Sequence, residues 1–153
     1  MDTVSGEVRG VSINSLDAKL KEICLKAIKA KENAHCPYSN YRVGSALLTT
    51  DGTIFVGCNV ENASYPLCVC AERVVINNAV TSGYKKFSAM AISADSIGTV
   101  TGPCGACRQC IIEFGTDWDV YMVQHDLSWY KFKAGNMMPR PFMPSTLEEE
   151  RIS

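Results

Sequence analysis

The stretch "YPLCVCAERVV", residues 65–75, decides how the chain is read, because it sets two cysteines one residue apart and follows them with Glu72 and Arg73 inside an apolar run. Ala71, Val74, Val75 and Ala79 recur at helical spacing and Gly83 follows as a stop, so a helix is predicted from about Cys70 to Ser82. Its start is unusual. Helix caps are commonly Ser, Thr, Asp or Asn, whereas this helix opens on a thiol with a carboxylate two residues on.

Working outward, "GPCGACRQC" (102–110) opens a second such helix, predicted from about Cys104 to Phe114 and ended by Gly115. Upstream, Leu16, Leu20, Ile23, Ala27 and Ile28 follow helical spacing and predict a first helix over roughly 16–33, closed before Pro37. The stretch "YRVGSALLTTDGTIFVGCNV" (41–60) carries β-branched and alternating residues on both sides of Asp51-Gly52, a strong hairpin signal. Strands are predicted at 88–94, in "DVYMVQ" (119–124) and in "WYKFKA" (129–134). Strand alternating with helix in this way points to an α/β sheet covered by helices.

The bulk properties agree with a folded enzyme-sized unit. The 153 residues, 46% of them hydrophobic, can bury one sizeable core. A single domain over 1–153 is expected, with the polar start (1–15) and the acidic end (146–153) as its flexible segments. The net charge of −1 and the interleaving of the lysines in "LDAKLKEICLKAIKAKENA" with apolar and acidic residues argue against a nucleic-acid partner. No run approaches the roughly 20 apolar residues of a membrane span and the start lacks a secretory core. A cytoplasmic protein is therefore expected, and in a reducing compartment the eight cysteines point to metal ligation or burial more than to disulfides.

Cys70, Cys104 and Cys107 place three thiols at two helix N-termini, where free amides and the positive dipole end favour thiolates. Zinc takes such sulfur ligands tetrahedrally, and three protein ligands leave the fourth position for water. No fourth Cys or His closes the pattern. Glu72 occupies that neighbourhood instead, where a carboxylate can manage the protons of a water. A CxxC can also be a redox pair, and free cysteines are often plain core residues, so both alternatives stand at this point. Cys68 competes with Cys70 as ligand, but choosing it would put Cys70 rather than Glu72 two positions on. Three thiolates on Zn²⁺ leave a net −1, and Arg73, a permanent cation beside Glu72, is expected to offset it by donating to the sulfurs.

With these residues in place, "GCNVENASYPLCVCAERVV" (57–75), "GPCGACRQC" (102–110) and "HCPYSNYRVGSALL" (35–48) closely resemble the small zinc-dependent cytidine deaminases of pyrimidine salvage, over about residues 16–147. The resemblance implies a three-layer α/β/α sandwich with a mixed five-stranded sheet. It implies zinc held by Cys70, Cys104 and Cys107, with Glu72 as proton shuttle. It further implies a nucleoside-binding segment Asn59–Tyr65, in which Asn59 and Glu61 bond the ribose hydroxyls and Ala63 and Tyr65 line the site. Tyr41 matches an aromatic, usually Phe, that packs on the base. Phe142 matches one contributed by a neighbouring subunit of a homotetramer whose sites are completed across subunits. Cys68 stands where Gly is expected and would tighten the loop entering the site.

The alternatives are a deaminase fold acting on polynucleotide cytosines, a purely structural zinc module, and the related deaminase of the antibiotic blasticidin S. The missing basic groove opposes the first, an open coordination position would oppose the second, and "NVEN" favours a nucleoside over the third.

Overall fold

The computed structural model describes residues 6–98 and 100–148. Of the expected flexible segments 1–15 and 146–153, residues 1–5 and 149–153 lie outside the described residues. A single sheet organises the chain, in the order β1-β6-β5-β4-β2-β3. Its strands are β1 (Val8–Gly10), β2 (Val43–Thr49), β3 (Ile54–Cys58), β4 (Phe87–Ala94), β5 (Asp119–Val123) and β6 (Trp129–Lys133). Every neighbouring pair is antiparallel except β4 with β5. That parallel pair needs a crossover, and helix α3 (Gly105–Ile112) lies in it.

The resemblance implied five strands, and the sheet has six. The added strand is β1, whose Val8, Arg9 and Gly10 pair with Lys131, Tyr130 and Trp129. A side chain at Gly10 would put its Cβ 2.1 Å from the Trp129 indole, so the strand closes on the sheet edge only because that residue has none.

The central strands are buried on both faces, which is why they read as near-continuous apolar runs. Their side chains alternate. Leu47, Met90, Ile92 and Val120 point to α3 and to α2 (Ala71–Thr81), meeting Val75, Ile76, Ala79 and Ile111. Ala46, Leu48, Ala89, Ala91, Tyr121 and Val123 point the other way, to Ile23, Cys24 and Ala27 of α1 (Ala18–Ala30). The layers are thus one helix, a mixed sheet and two helices. Helix α1 is shorter than the predicted 16–33, because Lys31–Asn33 tighten into a 3-10 turn.

The hairpin β2–β3 turns around Asp51, which accepts from the Thr53 amide at 3.1 Å. It brings Cys58 opposite Gly44, while Val43 lies opposite Ala94 of β4, so β3 and β4 finish level with each other. The chain leaves each of these ends into a loop and re-enters a helix, α2 after β3 and α3 after β4. Helix α2 sits close on β3: a Cβ at Gly57 would lie 2.7 Å from the Val75 amide nitrogen. Two helix N-termini therefore share one end of the sheet.

Candidate active site

Cys70 and Cys104 are the N-cap residues of α2 and α3, both with extended backbone. Cys107 lies in the first turn of α3 and is fully buried. Their sulfurs converge: Cys70 Sγ lies 3.8 Å from Cys104 Sγ, and Cys104 Sγ lies 3.4 Å from Cys107 Sγ. All three fall within 4.8 Å of one another. A tetrahedral zinc with bonds of about 2.3 Å requires sulfurs about 3.8 Å apart, so the donor set fits that ion in both chemistry and spacing.

The thiols are already charge-organised. The Cys107 thiol, donating to Cys70, holds that sulfur well below the ordinary thiol range, at about 5, against the penalty of burial; Cys104 and the Arg73 charge act in the same direction. Cys107 is pushed up by the same hydrogen bond and by burial. Binding of a cation by such a cluster is coupled to release of thiol protons.

Glu72 is the second residue of α2 and is only 4% exposed. Burial pushes its carboxyl up and the negative charge of Cys70 adds to the rise, while its own amide, the Cys107 thiol and Arg73 pull the other way. Its place in the first turn brings it into reach of these groups although it does not share the face of Cys70. Arg73 acts on the Cys70 sulfur through its charge and a side-chain hydrogen bond; its Nη2 also donates to the carbonyl of Cys68 at 3.0 Å, and its Nε is buried without a hydrogen-bond partner.

The segment 59–65 packs beside this cluster. Asn59 bridges backbone groups, accepting from the Val43 amide at 2.8 Å and donating to the Tyr41 carbonyl at 2.9 Å, which uses half of its hydrogen-bonding capacity. Glu61 Oε2 accepts from the amides of Tyr38 and Ser39 at 2.9 and 3.2 Å. These bonds, led by that of the Ser39 side chain, hold its carboxyl below the usual range and keep it ionised. Tyr38, Ser39, Glu61, Tyr65 and Cys68 line a groove of about 420 Å³. Tyr65 is 68% exposed and its ring stands 5.6 Å from that of Tyr38; Ala63 is exposed on the same loop. Tyr41 shares a hydroxyl hydrogen bond of 2.9 Å with Thr101, in the loop that leads to Cys104.

Phe142 is not among the residues that line this groove. Its carbonyl is tied to Gln109 of α3 and its ring is 57% exposed. Sequence reasoning missed the Tyr38 and Ser39 amides that fix Glu61. The turn signal in "PYSN" (37–40), where Asn40 adopts a left-handed φ of 53°, was the available sign that amides there would be free to point outward.

The chain is similar to known proteins over most of its length. The family described as "Cytidine and deoxycytidylate deaminase zinc-binding region" matches residues 17–123, which span all three cysteines, Glu72, Asn59 and Glu61. The cytidine deaminase of Sporosarcina psychrophila is 48% identical over 95 residues, 62% of this chain and 69% of that protein. That of Halalkalibacterium halodurans is 39% identical over 127 residues, 81% of this chain and 94% of its own length. The crystal structure of the cytidine deaminase of Burkholderia pseudomallei superposes with a TM-score of 0.76 at 42% identity, covering 79% of this chain and 97% of its own. Three thiols gathered at two helix starts, a buried glutamate beside them and this degree of likeness place the chain in the cytidine and deoxycytidylate deaminase family.

Proposed function

We propose that the protein is a zinc-dependent hydrolase that converts cytidine and deoxycytidine to uridine and deoxyuridine with release of ammonia, in pyrimidine salvage. The observation that carries this reading is the buried Glu72 beside three converging thiols. Cys70, Cys104 and Cys107 hold the metal, which, when bound, supplies a Lewis acid that lowers the pKa of a water toward about 7.

Glu72 removes a proton from the attacking water as its oxygen bonds to C4 of the base, and delivers that proton to N3. It then takes the remaining hydroxyl proton and passes it to the exocyclic amine. The C4–N bond breaks, ammonia leaves, and the C4 carbonyl of uridine forms with N3 protonated. A carboxyl that burial holds above the ordinary carboxylate range suits both halves of this exchange.

Asn59 and Glu61 orient the ribose, since an amide and an ionised carboxylate together donate to and accept from a diol. Tyr41 packs on the base, and Ala63 and Tyr65 complete the lining. A single cytoplasmic domain assembled as a homotetramer fits this reading, with Phe142 entering a neighbour's site. Support comes from the exposed Tyr65, Leu67 and Phe142 near the groove and the tail, apolar surface that calls for a covering partner. Among the described residues no helix is long and apolar enough to cross a membrane.

A spectrophotometric assay on free cytidine and on single-stranded DNA tests the substrate class. Turnover of cytidine alone is expected. Turnover of the polynucleotide alone would overturn the reading.

A further inference from the structure

Cys68 has no part in the chemistry above, yet its sulfur is engaged. Sγ accepts from the Asn62 amide at 3.3 Å and, as a thiol, reaches the Asn62 carbonyl at 3.6 Å. One side chain thus holds both backbone groups of one residue. Val60 and Val69 exchange both of their backbone hydrogen bonds at 2.9 Å. The segment 60–69 is therefore a small hairpin with a backbone rung at Val60 and Val69 and a thiol rung at Asn62 and Cys68.

Glu61 sits between the two rungs, and Ala63 follows the second. The Cys68 carbonyl in turn accepts from Nη2 of Arg73, in the first turn of α2 next to Glu72. The 3-10 turn Tyr65–Leu67 closes onto the Cys68 amide through the Tyr65 carbonyl at 3.0 Å. All of Cys68 that can hydrogen-bond is committed, and its commitments join the loop beside the groove to the helix that carries the reacting carboxylate.

We infer that Cys68 is a positioning residue for the nucleoside: its thiol fixes the stretch Glu61–Ala63 against α2, setting substrate affinity and not the rate of the chemical step. This rests on the function proposed above. A thiol is a weak donor and a weak acceptor, and Asn62 is exposed enough for water to replace it. The effect of losing it is thus a looser loop, not a broken fold. A hydroxyl keeps both hydrogen-bonding capacities, whereas a methyl group keeps neither.

The test compares the zinc-loaded parent, Cys68→Ala and Cys68→Ser by cytidine kinetics and by amide hydrogen exchange of Asn62 without nucleoside. In Cys68→Ala the KM for cytidine should rise about fivefold with kcat nearly unchanged, and Asn62 exchange should accelerate by a similar factor, the size expected for a modest hydrogen bond. Cys68→Ser should stay closer to the parent in both. An unmoved KM and unmoved exchange in Cys68→Ala would overturn the inference. So would a fall in kcat and zinc content at constant KM, which would make Cys68 a metal residue. If Cys68→Ala does not fold, the parent decides: an Asn62 amide exchanging as fast as a free amide sinks the thiol rung. If the parent fails to turn over cytidine, the functional reading fails, and exchange still decides the clamp.

Discussion

Three helices of this chain begin with the same backbone and different side chains. Asp17 before α1 has φ −61° and ψ 164°, Cys70 before α2 has −71° and 153°, and Cys104 before α3 has −66° and 171°. Asp17 Oδ1 accepts from the amides of Lys19 and Leu20, both at 2.9 Å. Cys70 and Cys104 make no such bond and turn their sulfurs to one another. A cap of the Asp17 kind contributes about 1 kcal/mol, and the two helices of the site forgo it. Their free amides and dipole ends are left facing a cluster of thiols, where negative charge is favoured. The contrast separates a helix start capped by a carboxylate from two that gather thiols able to hold a cation.

Breaking the thiol side should have the largest effect. Cys107→Ala removes one of the three sulfurs, and metal analysis should find zinc lost and turnover abolished. Full zinc with full activity would show that the cysteine cluster is not the metal site. An intermediate effect is expected at Arg73, whose charge helps lower the Cys70 thiol. Arg73→Gln should reduce turnover or zinc retention at least about tenfold, as loss of a residue supporting metal ligands typically does. Unchanged zinc release by the variant would mean that the helix dipoles alone balance the thiolates. The smallest effect belongs to the ordinary cap. Asp17→Ala should cost about 1 kcal/mol in urea unfolding and leave turnover per bound zinc unaltered. A variant that instead weakened zinc binding would erase the distinction between the two kinds of helix start.

The same distinction explains what the sequence made legible. Helix starts at Cys70 and Cys104 could be read because apolar spacing, a following glycine and a thiol at the first position are all local signals. The hairpin around Asp51-Gly52 is local for the same reason, and so is the identity of the three sulfurs once both helices are known to begin at one sheet end. Strand β1 was not legible. Its three residues carry no periodicity, and their partner β6 lies about 120 residues away, accessible only because Gly10 leaves room for Trp129. Half of the route of Arg73 was also hidden. Charge balance predicts that it should seek a sulfur, and it does act on Cys70; its second bond, to the Cys68 carbonyl at 3.0 Å, depends on how the hairpin 60–69 folds back and has no signal in the spacing. The amides holding Glu61 come from Tyr38 and Ser39, more than 20 residues upstream, and no spacing rule joins them.

In the proposed function the cysteines bind the metal while Glu72, which is no ligand, moves the protons. Zinc stoichiometry and cytidine turnover measured on the same preparations of the parent and of Glu72→Ala test it most directly. About one zinc per chain is expected in both, with turnover in the variant lower by at least about a hundredfold. Turnover within a few-fold of the parent, or loss of zinc from the variant, would contradict it.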